Sequence, residues 1–135
     1  MTAPHVLVVE DDPSVRGLLE TLLVAEGYDV AIASDGLAGL VMASSRRPAL
    51  ILLDLMMPDL GGTRVLEELR GDPSLKDIPV VVVTGKVDAI PRLQEVLGVN
   101  SVFAKPFGVA DLLWRVAQIT GGPVGDTSGP TGKEG

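Results

Sequence analysis

Glu10-Asp11-Asp12, Asp54, Thr84 and Lys105 are the residues whose types and placement could do chemistry together. Three follow a short apolar run, 6–9 before the acidic triplet, 49–53 before Asp54 and 79–83 before Thr84, and Lys105 follows the short strand-like segment 101–104. If those runs are parallel strands of one sheet, their carboxyl ends share a rim. Open parallel sheets bind ligands there, near a topological switch point. Carboxylates, a hydroxyl and an ammonium would then converge. Apposed carboxylates raise one another's pKa unless a cation stands between them. A hard divalent cation with oxygen ligands resolves the conflict, and Mg2+ suits because it keeps several waters. The expected ligands are Asp11, Asp54 and one backbone carbonyl, with Glu10 acting through water.

Two hydrophobic periods alternate along the chain and supply the elements that would hold these groups. After the run 6–9, Val15, Leu18, Leu19, Leu22 and Leu23 recur at helical spacing. Pro13 suits the first helical position, with Asp12 as cap and Gly27 as stop. A strand over 28–33 precedes a helix over 36–46 that Asp35 caps. The run 49–53 leads to Asp54, a loop over 55–62 shaped by Asp59, Gly61 and Gly62, and a helix around 63–70. The run 79–83, β-branched from Val80 onward, is followed by a helix near 91–98, a strand at 101–104 and a last helix marked by Val109, Leu112, Leu113 and Val116. Five strands alternating with five helices predict an α/β fold, a doubly wound parallel sheet covered on both faces. Strands apolar on both faces are what that arrangement requires. Residues 121–135 are rich in Gly and Pro and leave little to bury, the mark of a flexible tail or linker.

Composition excludes other chemistries. The 135 residues suit one domain. A formal charge of −7 disfavours nucleic acid or an anionic membrane surface as the main partner. No cysteine means no disulfide, thiolate metal site or thiol nucleophile. The single histidine, His5, cannot build a multi-histidine site and falls at the opposite end from the acids. Four aromatics leave little for base stacking. No apolar run reaches membrane-spanning length and no signal-like segment opens the chain, so a cytoplasmic protein without membrane insertion is expected.

Four stretches together resemble the receiver domain of bacterial two-component response regulators: Val6-Leu-Val-Val-Glu-Asp-Asp-Pro13, Leu52-Leu-Asp-Leu-Met-Met-Pro-Asp-Leu-Gly-Gly62, Val80-Val-Val-Val-Thr-Gly85 and Val102-Phe-Ala-Lys-Pro-Phe107. The resemblance covers roughly 5–120. It implies a flavodoxin-like five-stranded sheet in the order 2-1-3-4-5, similar to single-domain chemotaxis regulators. It implies that Asp54 is the phosphoacceptor for a histidine kinase or a histidine phosphotransfer protein. Glu10 and Asp11 match the acidic pair that holds Mg2+, and the Met56 carbonyl matches its backbone ligand. Thr84 matches the hydroxyl that bonds the phosphoryl group, and Lys105 the ammonium that pairs with it. A cis Lys105–Pro106 bond is implied too, chemically accessible because proline lowers the cis penalty.

The family usually carries an aromatic residue three positions before that lysine. Here Val102 stands there, and Phe103, one place on, should point to the opposite face. A downstream protein target is expected through the fourth helix, fifth strand and fifth helix. Taken singly, Asp12 is a cap, Asp54 a turn former, and Thr84 and Lys105 surface residues. Only their joint placement points to phosphoryl chemistry, and to a signalling switch rather than a turnover enzyme. A phosphorylation-independent interaction module is the alternative. An Asp-x-Asp hydrolase would want an acid where Met56 stands, and no glycine-rich phosphate loop follows the first strand.

Overall fold

The structure, a computed structural model, describes residues 3–55, 62–85 and 101–122. Strands β1 (His5–Val9), β2 (Asp29–Ala33), β3 (Leu50–Asp54), β4 (Val80–Thr84) and β5 (Ser101–Ala104) form one parallel sheet in the order β2-β1-β3-β4-β5. Helices α1 (Pro13–Ala25), α2 (Gly36–Ser45), α3 (Gly62–Gly71) and the C-terminal helix (Val109–Thr120) cover it. The flavodoxin-like order expected from the resemblance is the order found. The helix expected near 91–98 and residues 123–135 lie outside the described residues.

Alternation along the strands sorts the core into two layers. Leu7, Val9, Ile51, Leu53, Val80 and Val82 pack with Ala43 of α2 and Val65, Leu66 and Leu69 of α3. Val6, Val8, Leu50, Leu52 and Val81 pack with Leu19 and Leu23 of α1 and Leu112 and Val116 of the C-terminal helix. Both faces of β1, β3 and β4 are therefore dry, which explains why their sequences are unbroken apolar runs. Burial on this scale, at about 25 cal/mol per Å2 of apolar surface, is the main term holding the sheet between its helices.

The helix starts follow the expected chemistry. The Asp12 carboxylate accepts from Ser14 N at 2.8 Å and Val15 N at 3.4 Å, with Pro13 in the first turn. Asp35 accepts from Ala38 N at 2.8 Å. Gly27, just past α1, has φ +100°, a conformation that favours glycine. α2 meets the sheet through Gly36, Gly39 and Ala43, and a Cβ on Gly39 would stand 2.8 Å from Val9 Cγ2. Small residues let this helix lie close, so its larger Leu37 and Val41 are turned outward.

One reading of the sequence is refined and another is met. Leu18 belongs to the apolar stripe of α1 yet is 46% exposed, because Leu19 and Leu23 alone occupy the centre of the buried face. Phe103 and Val102 take opposite sides of β5: Phe103 packs in the layer of α1 and the C-terminal helix, Val102 in the layer of α2 and α3. His5 opens β1, its Nδ1 3.1 Å from the Asp29 carbonyl oxygen. Among the described residues, no helix is long and apolar enough to cross a membrane.

Candidate functional site

Strand register brings the chemistry to one rim. Val9 pairs with Leu53, so Glu10 and Asp54 each stand one residue past a matched pair on adjacent strands. Thr84 pairs with Ala104, which places Lys105 one residue beyond on β5, its backbone N–H donating to the Thr84 carbonyl at 2.8 Å. The Lys105–Pro106 peptide is cis.

Glu10, Asp11 and Asp54 each place one carboxylate oxygen within 4.8 Å of the others. Glu10, Asp54 and Thr84 are buried, while Asp11 is half-exposed. Lys105 Nζ lies 3.3 Å from Glu10 Oε1 and 3.5 Å from Asp54 Oδ1. Burial, then a hydrogen bond and the charge of Asp54, push the Glu10 carboxyl up from 4.5 to about 7. The Lys105 ammonium and the Asp12 N–H, which donates to Glu10 Oε2 at 3.2 Å, pull the other way. A carboxyl so eager for a proton belongs to a cluster short of positive charge. The donor set fits a hard divalent cation: carboxylate oxygens only, no nitrogen or sulfur ligand, and one half-exposed member.

Gly62 fixes the other wall. It begins α3, its N–H donates to the Leu55 carbonyl at 3.2 Å, and a Cβ there would collide with the Asp54 carbonyl oxygen and Leu55 Cα. The sequence pointed to Gly62 as a loop former. Its tighter role is to let α3 press against the end of β3.

The structure thus gathers Glu10, Asp11, Asp54 and Lys105, and ends β4 with Thr84 beside them. Met56, whose carbonyl was expected as a ligand, lies outside the described residues, as do Asp59 and Gly61. Asp12 does more than cap α1, since its N–H also holds Glu10. Arg16 was missed altogether: its Nη1 donates to the carbonyl oxygens of Glu10 at 3.1 Å and Asp11 at 3.3 Å. The available signal was a lone cation one turn into α1, shortly after the acids.

The model of the response regulator receiver domain matches residues 6–117. The chain belongs to the response regulator receiver family. Over 121 residues it is 37% identical to the DNA-binding dual master transcriptional regulator RpaA of Synechocystis, covering 86% of this chain and 48% of that one. The chain spans about half or less of the curated relatives it matches. Among solved structures, the chemotaxis protein CheY4 of Vibrio cholerae superposes with a TM-score of 0.80 at 27% identity, over 88% of this chain and 99% of that one. The receiver domain of the sensor histidine kinase PA1611 from Pseudomonas aeruginosa gives 0.78 at 28% identity, over 89% and 99%. That structure holds a magnesium ion in its active-site cleft. Receiver domains are signalling domains that take phosphate from histidine kinases, and this chain is a receiver of a two-component system.

Proposed function

We propose that this receiver accepts a phosphoryl group on Asp54 from a histidine kinase or histidine phosphotransfer protein, in a Mg2+-dependent step, and acts as a phosphorylation-controlled switch. The observation that carries this is the cluster of Glu10, Asp11 and Asp54 with Lys105 Nζ 3.5 Å from Asp54 Oδ1. An Asp54 carboxylate oxygen attacks the phosphorus of a phosphohistidine. The P–N bond breaks, and the imidazole leaves with the electron pair and takes up a proton. Such transfers ask a protein mainly for position and charge neutralisation.

Glu10, Asp11, Asp54 and the Met56 carbonyl would hold Mg2+. Bound there, it would offset charge on the transferring oxygens. Lys105 pairs with those oxygens, and the Thr84 hydroxyl gives them a fixed dipole. The product puts a dianionic group at the end of β3, and drawing Thr84 and Lys105 toward it is the two-state element. An apolar groove of about 430 Å3, lined by Val15, Leu18, Pro106, Phe107 and Val109 and bordered by Lys105, offers the donor protein an anchorage beside the acceptor.

Residues 5–120 would be the working domain and 121–135 a tail or linker. The downstream target is a protein met through the helix expected near 91–98, β5 and the C-terminal helix, in the cytoplasm and without direct nucleic-acid contact. Incubating the purified protein with Mg2+ and acetyl phosphate should add one phosphoryl group by intact mass. The adduct should vanish with a chelator and in Asp54→Asn. A wild-type protein that gains no Mg2+-dependent mass sinks the reading.

A further inference from the structure

We propose that Arg16 is a positioning residue that holds the Glu10–Asp11 turn in its cation-binding shape, an inference that rests on the proposed Mg2+ site. A single nitrogen, Arg16 Nη1, donates to two consecutive carbonyl oxygens, Glu10 at 3.1 Å and Asp11 at 3.3 Å. The same turn is tied at its other points. Glu10 N donates to the Ala33 carbonyl at 3.1 Å, Asp12 N donates to Glu10 Oε2, and Arg16 N donates to the Asp12 carbonyl at 2.8 Å. Arg16 is therefore bound to the turn twice, through its backbone as part of α1 and through its guanidinium. The guanidinium addresses the one pair of carbonyls whose side chains must converge on the ion. Partners just outside a metal's ligands commonly change its affinity by 10- to 100-fold when removed.

Charge and position pull in opposite directions here, which makes the role separable. A fixed cation behind an anionic cluster repels a dication, so loss of the charge alone would tighten Mg2+ binding. Loss of positioning frees the Glu10 and Asp11 carboxylates to turn away, and would weaken binding. A residue that only supports the fold would leave the affinity of the folded protein unchanged. Positioning is the larger effect, because both carbonyls lie within the turn that carries the ligands.

The test is Mg2+ titration of the full chain, followed by backbone amide shifts of residues 10–12, together with hydrogen exchange of the Asp12 amide without metal. Arg16→Met should weaken Mg2+ binding about tenfold and speed Asp12 exchange, because Asp12 N–H loses a fixed Glu10 carboxylate. Arg16→Lys, which keeps a cationic donor, should restore the affinity to within about threefold of wild type. If Arg16→Met does not fold, Arg16→Gln carries the same expectation of weaker binding. Unchanged or tighter binding in the folded neutral variants, with wild type binding normally, overturns the positioning role and leaves the site itself standing. Failure of wild type to bind Mg2+ overturns the site and this inference together.

Discussion

Glu10 and Asp54 end neighbouring parallel strands with their carboxyl groups in contact, and the contact, added to burial, raises the Glu10 carboxyl to about 7. The consequence is a pH-dependent stability in the absence of metal. Below about pH 4.5 folded and unfolded chains both hold the Glu10 proton, so this group's contribution is complete. Between 4.5 and about 7 the unfolded chain releases it while the folded chain keeps it, and stability falls as pH rises. Above that window the loss is full, on the order of a few kcal/mol. Urea unfolding in a chelator at pH 5 and pH 8 measures it. Glu10→Gln should flatten that difference; an equal slope in wild type and variant would show that Glu10 is not its source.

Mg2+ should remove this penalty by supplying the missing charge. At a concentration ten times its Kd, a ligand of the folded state adds about 1.4 kcal/mol. For a domain of this size that is a rise of roughly 5 °C in Tm. Asp11→Asn and Asp54→Asn should each abolish most of the rise, which scanning calorimetry with and without Mg2+ will show. A rise that survives both substitutions would place the ion elsewhere.

The rim of the sheet was legible in the sequence for a physical reason. A strand buried on both faces must be apolar until its backbone leaves the sheet, so the first polar residue after each run marks the rim. Glu10, Asp54 and Thr84 announce themselves in this way, whereas Lys105 follows β5, an edge strand that is only partly buried. The helix caps were legible too, because Asp12 and Asp35 act on backbone within three residues. Arg16 was not, since a lone cation one turn into a helix does not say which oxygens it meets, and its partners are backbone carbonyls. Nor was the exposure of Leu18, since helical spacing defines a stripe but not how much of it a sheet can cover.

Lys105 splits two properties that a simple loss of the site would move together. Its ammonium sits 3.3 Å from Glu10 Oε1 and holds the Glu10 carboxyl lower than burial alone would. Lys105→Met should therefore raise that carboxyl further and lower metal-free stability at pH 8. It also removes a cation that competes for the same oxygens, so Mg2+ should bind severalfold more tightly. Phosphorylation by acetyl phosphate should nonetheless slow by tenfold or more, an electrostatic loss of about 1.4 kcal/mol or greater in the transition state. Weaker Mg2+ binding in this variant would contradict the competition.

Gly62 and Gly17 make opposite predictions for one added methyl group. A Cβ on Gly62 would collide with the Asp54 carbonyl oxygen and Leu55 Cα, and these are backbone atoms that cannot swing aside. Gly62→Ala must push α3 off the end of β3, so it should destabilise by about 1 to 3 kcal/mol, the range for overpacking. Because the displaced wall carries the Asp54 peptide, phosphorylation should slow even at temperatures where the variant remains folded. Gly17 lies within α1, and a Cβ there meets nothing within 4 Å. Gly17→Ala should stabilise by about 0.5 to 1 kcal/mol through helix propensity alone, with phosphorylation unchanged. Denaturant midpoints and acetyl phosphate kinetics on the pair provide the measurement. A Gly62→Ala protein as stable and as fast as wild type would mean that α3 does not bear on the acceptor strand as the structure has it.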